Sequence, residues 1–118
     1  MASKLRDKIL NTVDTEQEEV YVKQWDVKIL VKGLTGKERD SLLQKAVNMK
    51  TGQTDMNKLN TWLVIESCYD PETGEKIFEP ADFDLVASKS AGALSKIISV
   101  ASKLSGLDEE ALKEAEKN

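Results

Sequence analysis

The chain has 118 residues, a net charge of -4 and a pI near 4.9, with 40% hydrophobic and 32% charged residues. This is the size of one domain, with too much apolar material for a disordered chain. The acidic balance argues against nucleic acid, whose binders gain affinity by neutralising phosphates with a basic face. No apolar run approaches the ~20 residues that span a bilayer, and the N-terminus lacks the apolar stretch of a secretory signal. Cys68 is the single cysteine, so no disulfide forms within the chain and a reducing cytoplasm is expected.

In chain order, the spacing predicts a short helix over residues 3–12 with Leu5, Ile9 and Leu10 on one side, then an acidic connector from Asp14 to Glu19. From Val20 to Lys32 the pattern has period two, the signature of strands. Val20 and Val22 alternate at even positions, whereas Trp25, Val27, Ile29 and Val31 alternate at odd ones. A change of parity flips faces in a continuous strand. The segment therefore reads as two strands with a tight turn, or one strand with a bulge.

Thr35-Gly36-Lys37-Glu38 has the spacing of a capping box, and Leu42, Leu43, Ala46 and Val47 follow at helical spacing. A helix over 36–48 is expected, stopping near Thr51-Gly52. Asp55 can cap the next helix, whose buried face draws on Leu59, Trp62, Leu63 and Ile65. The run Trp62–Ile65 also suits a buried strand, but the apolar positions begin at Met56 and favour helix. Asp70-Pro71-Glu72-Thr73-Gly74 is a turn signal, after which Ile77 and Phe78 are expected to fold back onto the core. Pro80 suits the first turn of a helix carrying Phe83, Leu85 and Val86. Ser90 opens the clearest helix, with Leu94, Ile97, Ile98, Ala101 and Leu104 on one face and Gly106 as its terminator. Asp108 can cap a last helix bearing Ala111, Leu112 and Ala115.

The expected architecture is thus α+β and mostly α-helical. A small two-stranded β element lies near the N-terminus and four to five helices follow. One domain spans 1–118: the helix and connector over 1–19, strands over 20–32, and a mainly helical part over 35–118.

Reactive chemistry is missing. The chain has no histidine, which removes Ser-His-Asp triads, Cys-His pairs and His-based zinc sites. One cysteine cannot hold a zinc or iron–sulfur centre, and the six glycines are scattered, with no phosphate loop. Asp70-x-Glu72-x-Gly74 resembles a calcium loop only in part, because its glycine falls one position early and the twelfth position is Ala81. The carboxylate pairs Asp82/Asp84 and Glu109/Glu110 sit in expected first turns of helices, where they complement the helix dipole. Cys68 reads as a core thiol, since no histidine is there to lower its pKa. No catalytic residue, metal site or cofactor is expected.

The candidates for partner binding are few. Trp25 and Trp62 are the two largest apolar side chains, suited to a core or to an interface anchor. Lys89, Lys96 and Lys103 recur every seven residues, a ridge on one helix face, either solvated or docked to an acidic helix or phosphate. Leu107 and Leu112 give the last helix a thin apolar stripe that closes the domain or packs on a neighbouring subunit.

Taken together, several words resemble a family. Trp25-Asp26-Val27-Lys28-Ile29-Leu30-Val31-Lys32, followed by Gly33-Leu34-Thr35-Gly36-Lys37-Glu38-Arg39-Asp40, is similar to the N-terminal half of tail assembly chaperones of long-tailed phages and prophages. Asp70–Phe78 and the helix end Lys103-Leu104-Ser105-Gly106-Leu107 extend the resemblance, closest to the XkdN-like group of phages infecting Gram-positive bacteria. It spans about residues 20–110. The resemblance implies a non-enzymatic protein that binds the long helical tape measure protein in the host bacterial cytoplasm before tail tube subunits polymerise around it. It also implies contact with the tail tube protein, absence from the finished virion, and in many members a longer frameshifted form. Self-association of the chain is a further expected contact. The competing expectations are a structural tail-completion or connector protein of the virion, and a small nucleic-acid-associated regulator using the lysine ridge.

Overall fold

A computed structural model describes residues 3–107 of the chain. The expected last helix, with Leu112, lies outside the described residues. Helix α1 is Lys4–Asn11, strands β1 and β2 are Gln17–Val22 and Val27–Lys32, and helices α2 and α3 are Gly36–Ala46 and Met56–Ser67. A two-residue strand β3, Cys68–Tyr69, follows directly on α3. After the 70–79 segment come a 3₁₀ turn at Pro80–Asp82, α4 at Phe83–Ala87 and α5 at Ala91–Ser105. The described residues thus hold five α-helices and a three-stranded antiparallel sheet of order β1-β2-β3. The α+β class stands; the two-stranded element is corrected to three strands.

The change of parity between Val22 and Trp25 is a hairpin. Val20 lies opposite Ile29 and Val22 opposite Val27, so even positions of β1 and odd positions of β2 share the core face. The loop Lys23–Asp26 closes with a hydrogen bond from the Trp25 N–H to the Val22 carbonyl, 3.1 Å. Asp26 takes the left-handed conformation at φ 51°, usual for the last residue of such a loop and tolerated by Asp. Trp25 therefore belongs to the turn and not to the strand. Gln17–Glu19, expected in the connector, are instead paired with Leu30–Lys32. Strand pairing is a backbone property, and polar residues enter the ladder because Val20 and Val22 fix the register.

The core is aliphatic. Val20, Val22, Ile29 and Val31 of the sheet meet Leu42 and Ala46 of α2, Leu59, Leu63, Val64 and Ile65 of α3, Val86 of α4, and Ala93, Ile97 and Ala101 of α5. Burying each large aliphatic side chain contributes about 1.5–3 kcal/mol. On α5 the innermost row is Ala93, Ile97, Ala101 and Ser105, at i, i+4 spacing, with Leu94, Ile98 and Leu104 half-buried beside it. The expected stripe is thus rotated: small residues sit at its centre and let α5 approach the sheet closely.

Local signals behave as their chemistry requires. Thr35 and Glu38 form the reciprocal capping box, 3.2 and 2.9 Å. α2 ends at Ala46, earlier than expected, because Val47 leaves helical geometry to bridge Thr54 across a turn. Asp55 caps α3 through the N–H groups of Asn57 and Lys58. Gly106 closes α5 in the left-handed region, φ 66°. Leu85, expected to contribute to the core, is exposed, since only Val86 of the short α4 turns inward.

Candidate partner-binding surface

Two apolar surfaces remain uncovered among the described residues. The first is α1. Ser3 caps it through the Arg6 N–H, 2.9 Å, yet the helix buries no residue. Leu5, Ile9 and Leu10 share one side and are 68%, 59% and 63% exposed, flanked by Lys4, Arg6 and Lys8. Tertiary packing normally supplies most of a short helix's stability, and α1 has none of its own.

The second is an open groove of about 750 Å³ between the hairpin and the 70–78 segment. Trp25, Val27, Ile29, Pro71, Ile77 and Phe78 supply its apolar walls. Glu19, Asp70 and Glu72 bring three carboxylates to its lining against the single ammonium of Lys28, itself 3.8 Å from Glu19. The outer wall is held by the Asp70 turn. Its Oδ1 accepts the N–H groups of Glu72 and Thr73 at 2.8 and 3.4 Å, and Gly74 takes φ 75°. The Ile77 N–H then donates to the Cys68 carbonyl, 3.2 Å, and Tyr69 bridges Lys76. Phe78 is half-buried against the core, as its expected return implies; Ile77 is 40% exposed.

Of the candidates for partner binding read from the sequence, Trp25 alone lines this groove. Trp62 is half-buried. Its ring meets Phe83, centroids 4.9 Å apart and tilted by 47°, and the Lys45 ammonium sits 4.7 Å from its centroid. Its packing partners are thus within the chain. The seven-residue lysine repeat does not form one helical ridge. Lys89 precedes the Ser90 cap of α5, and its N–H donates to the Val86 carbonyl, 3.0 Å. Lys96 reaches the Tyr21 carbonyl at 2.6 Å, which leaves Lys103 as the outward lysine of the last turn. The helix begins at Ala91, two residues too late for Lys89 to join it. Leu107 is half-buried on the core, its N–H on the Ser102 carbonyl, 2.9 Å. The α1 stripe and the groove walls Val27, Ile77 and Phe78 were not singled out. Their apolar spacing is visible in the sequence; that none of the described residues covers them is not.

Two groups near these surfaces have shifted pKa values, Cys68 and Tyr21. Burial pushes the Cys68 thiol up to about 12, only partly opposed by the neighbouring Ser67 hydroxyl. It is therefore a poor nucleophile. The Tyr21 phenol donates to the Asp26 carboxylate at 2.7 Å, which raises its pKa, aided slightly by desolvation. No cluster of three or more carboxylates or thiols able to hold a metal ion occurs among the described residues. No helix among them is long and apolar enough to cross a membrane.

The chain matches no protein-family model and no curated protein sequence. Among solved structures it is similar to the tail assembly chaperone of bacteriophage HK97, with a TM-score of 0.59 and 15% identity over 86% of this chain and 98% of that one. At that identity the likeness is one of fold: the chain folds as a phage tail assembly chaperone does.

Proposed function

We propose that the chain is a tail assembly chaperone that binds a tape measure protein before tail tube subunits polymerise around it. The observation that carries this reading is the fold shared with the HK97 chaperone over nearly the whole of that protein. Two features support it. The segments that resemble the family in sequence, Trp25–Asp40 and Asp70–Phe78, supply β2, the start of the capped helix and most of the groove lining. Among the described residues, α1 and the groove also present uncovered apolar surface, which a passive holder of another polypeptide needs. A long protein made before its tube forms exposes apolar side chains, and uncovered apolar surface on a second chain is where such side chains dock.

In this reading the protein acts in the host cytoplasm and is absent from the finished particle. Co-expression with the tape measure protein of the same tail gene cluster tests it. The expected result is a soluble complex and a higher soluble yield of the tape measure protein. Recovery of the chain as a stoichiometric component of purified particles would replace this reading with that of a connector.

A further inference from the structure

The groove beside β2 has an unfilled backbone edge as well as apolar walls. The Gly33 N–H donates to the Glu16 carbonyl at 2.8 Å. In an antiparallel ladder, hydrogen-bonded pairs alternate with non-bonded ones. Val27, Ile29 and Val31 therefore exchange bonds with β1, and Lys28, Leu30 and Lys32 turn their N–H and C=O groups to the opposite edge. On that edge β3 pairs with β2 at Leu30–Tyr69 and Val31–Cys68 and goes no further. Continuing this register places Pro71 opposite Lys28. Proline has no N–H to donate, and the Asp70 turn carries the chain away at that point. Among the described residues no backbone hydrogen bond reaches Lys28 from this side.

We infer that the groove takes an extended, basic segment of a partner protein as an added strand, antiparallel to β2 and in line with β3. Three features define the occupant. The outward N–H and C=O of Lys28 are open to a backbone partner, which a strand supplies and a helix, with its own backbone bonds satisfied, does not. Trp25 and Phe78 offer apolar walls to alternate side chains of such a strand. Glu19, Asp70 and Glu72 against Lys28 alone make the lining acidic, which favours Lys or Arg between those apolar residues. The inference extends the proposed function to the mode of contact, and it does not require the partner to be a tape measure protein.

The test uses an isotope-labelled chain and an end-capped Lys-Val-Lys-Val-Arg-Ile-Lys peptide. The expected result is slowing of Lys28 amide exchange by about tenfold or more at saturation, with resonance shifts at Val27–Ile29 and Asp70–Phe78. Lys28→Pro removes the outward N–H but no bond to β1, as proline is tolerated at such an edge. It should weaken binding about tenfold, the scale of one lost hydrogen bond. Glu72→Lys should weaken it in a salt-dependent way, and a peptide with Glu in place of Lys and Arg should not bind. An unprotected Lys28 amide at saturation overturns the inference, as does equal binding of the Glu peptide. Displacement by a helical peptide of residues 3–13 with Lys28 left exchanging overturns it in favour of a helix. If tape measure capture fails while Lys28 is protected, the proposed function falls and the strand site stands. If capture succeeds while Lys28 exchanges unchanged, the strand site alone falls.

Discussion

The backbone N–H of Leu34 donates to the side-chain oxygen of Ser105 at 3.0 Å, across 71 residues of sequence. Both residues are buried. One residue earlier, the Leu104 carbonyl lies against the α-carbon of Gly33, where an added Cβ would stand 2.5 Å from that oxygen. The end of α5 is thereby clamped onto the junction between β2 and α2. Together with the Lys96 bond to the Tyr21 carbonyl and the shared aliphatic core, this contact joins α5 to the hairpin carrying the groove.

That clamp sets the first prediction. Ser105→Ala leaves the buried Leu34 N–H without a partner and should cost about 1–3 kcal/mol. Gly33→Ala drives a methyl into a backbone carbonyl that cannot rotate away, and should cost a similar ~1–3 kcal/mol. Urea unfolding midpoints of the two variants and their combination check both. Because the sites adjoin, the double variant should lose less than the sum.

A second prediction separates core from surface. Ile97 is fully buried at the centre of α5, and Ile97→Ala should destabilise by about 2–5 kcal/mol. Leu5→Glu and Ile9→Glu lie on the uncovered side of α1 and should change stability by less than about 0.5 kcal/mol. If the α1 stripe contacts a partner, these two charges should reduce partner capture while thermal unfolding stays unchanged. Pull-down beside calorimetry reads both quantities.

Cys68 gives a pH dependence. Its pKa is raised by burial from 9.0 to about 12. The folded chain keeps the thiol proton at pH values where the unfolded chain has released it. The stability tied to that proton is fully present below about pH 9 and is lost as pH rises toward 12. Urea midpoints of the native chain should therefore fall faster than those of Cys68→Ala as pH rises from about 9 toward 12. In the folded state, alkylation of Cys68 near neutral pH should proceed only through opening of the structure.

The capping box gives a fourth prediction. Thr35→Ala removes the acceptor for the Glu38 N–H and should cost about 1 kcal/mol. Glu38→Ala removes the reciprocal bond to the Thr35 N–H. Thermal unfolding of the single and double variants should show coupling, since each side chain orients the other's backbone partner.

Much of the fold was legible where local chemistry decides it. The Thr35 box, the Asp55 and Ser90 caps, the Asp70–Gly74 turn and the Gly106 terminator all declare themselves through side-chain hydrogen bonding or backbone freedom. The short strand β3 did not, because Cys68 and Tyr69 pair with β2 only after α3 has delivered them there. The same holds for Gln17–Glu19, whose strand state depends on partners in β2. The site was the least legible part. Trp25 stood out by size, but the groove around it joins segments some forty residues apart, and whether an apolar residue is covered depends on the whole fold. The lysine repeat misled for a simple reason: a period of seven marks a helical ridge only if all its members lie within the helix, and Lys89 does not.

The central claim is that the chain works by holding another polypeptide. The most direct measurement is co-purification of this chain with the tape measure protein of its own gene cluster, followed by light scattering on the eluted species. The expected result is a defined soluble complex, disrupted by charge reversal at the groove or on α1 in a variant that still folds. A tape measure protein that stays insoluble and uncaptured beside abundant, folded chain would contradict it.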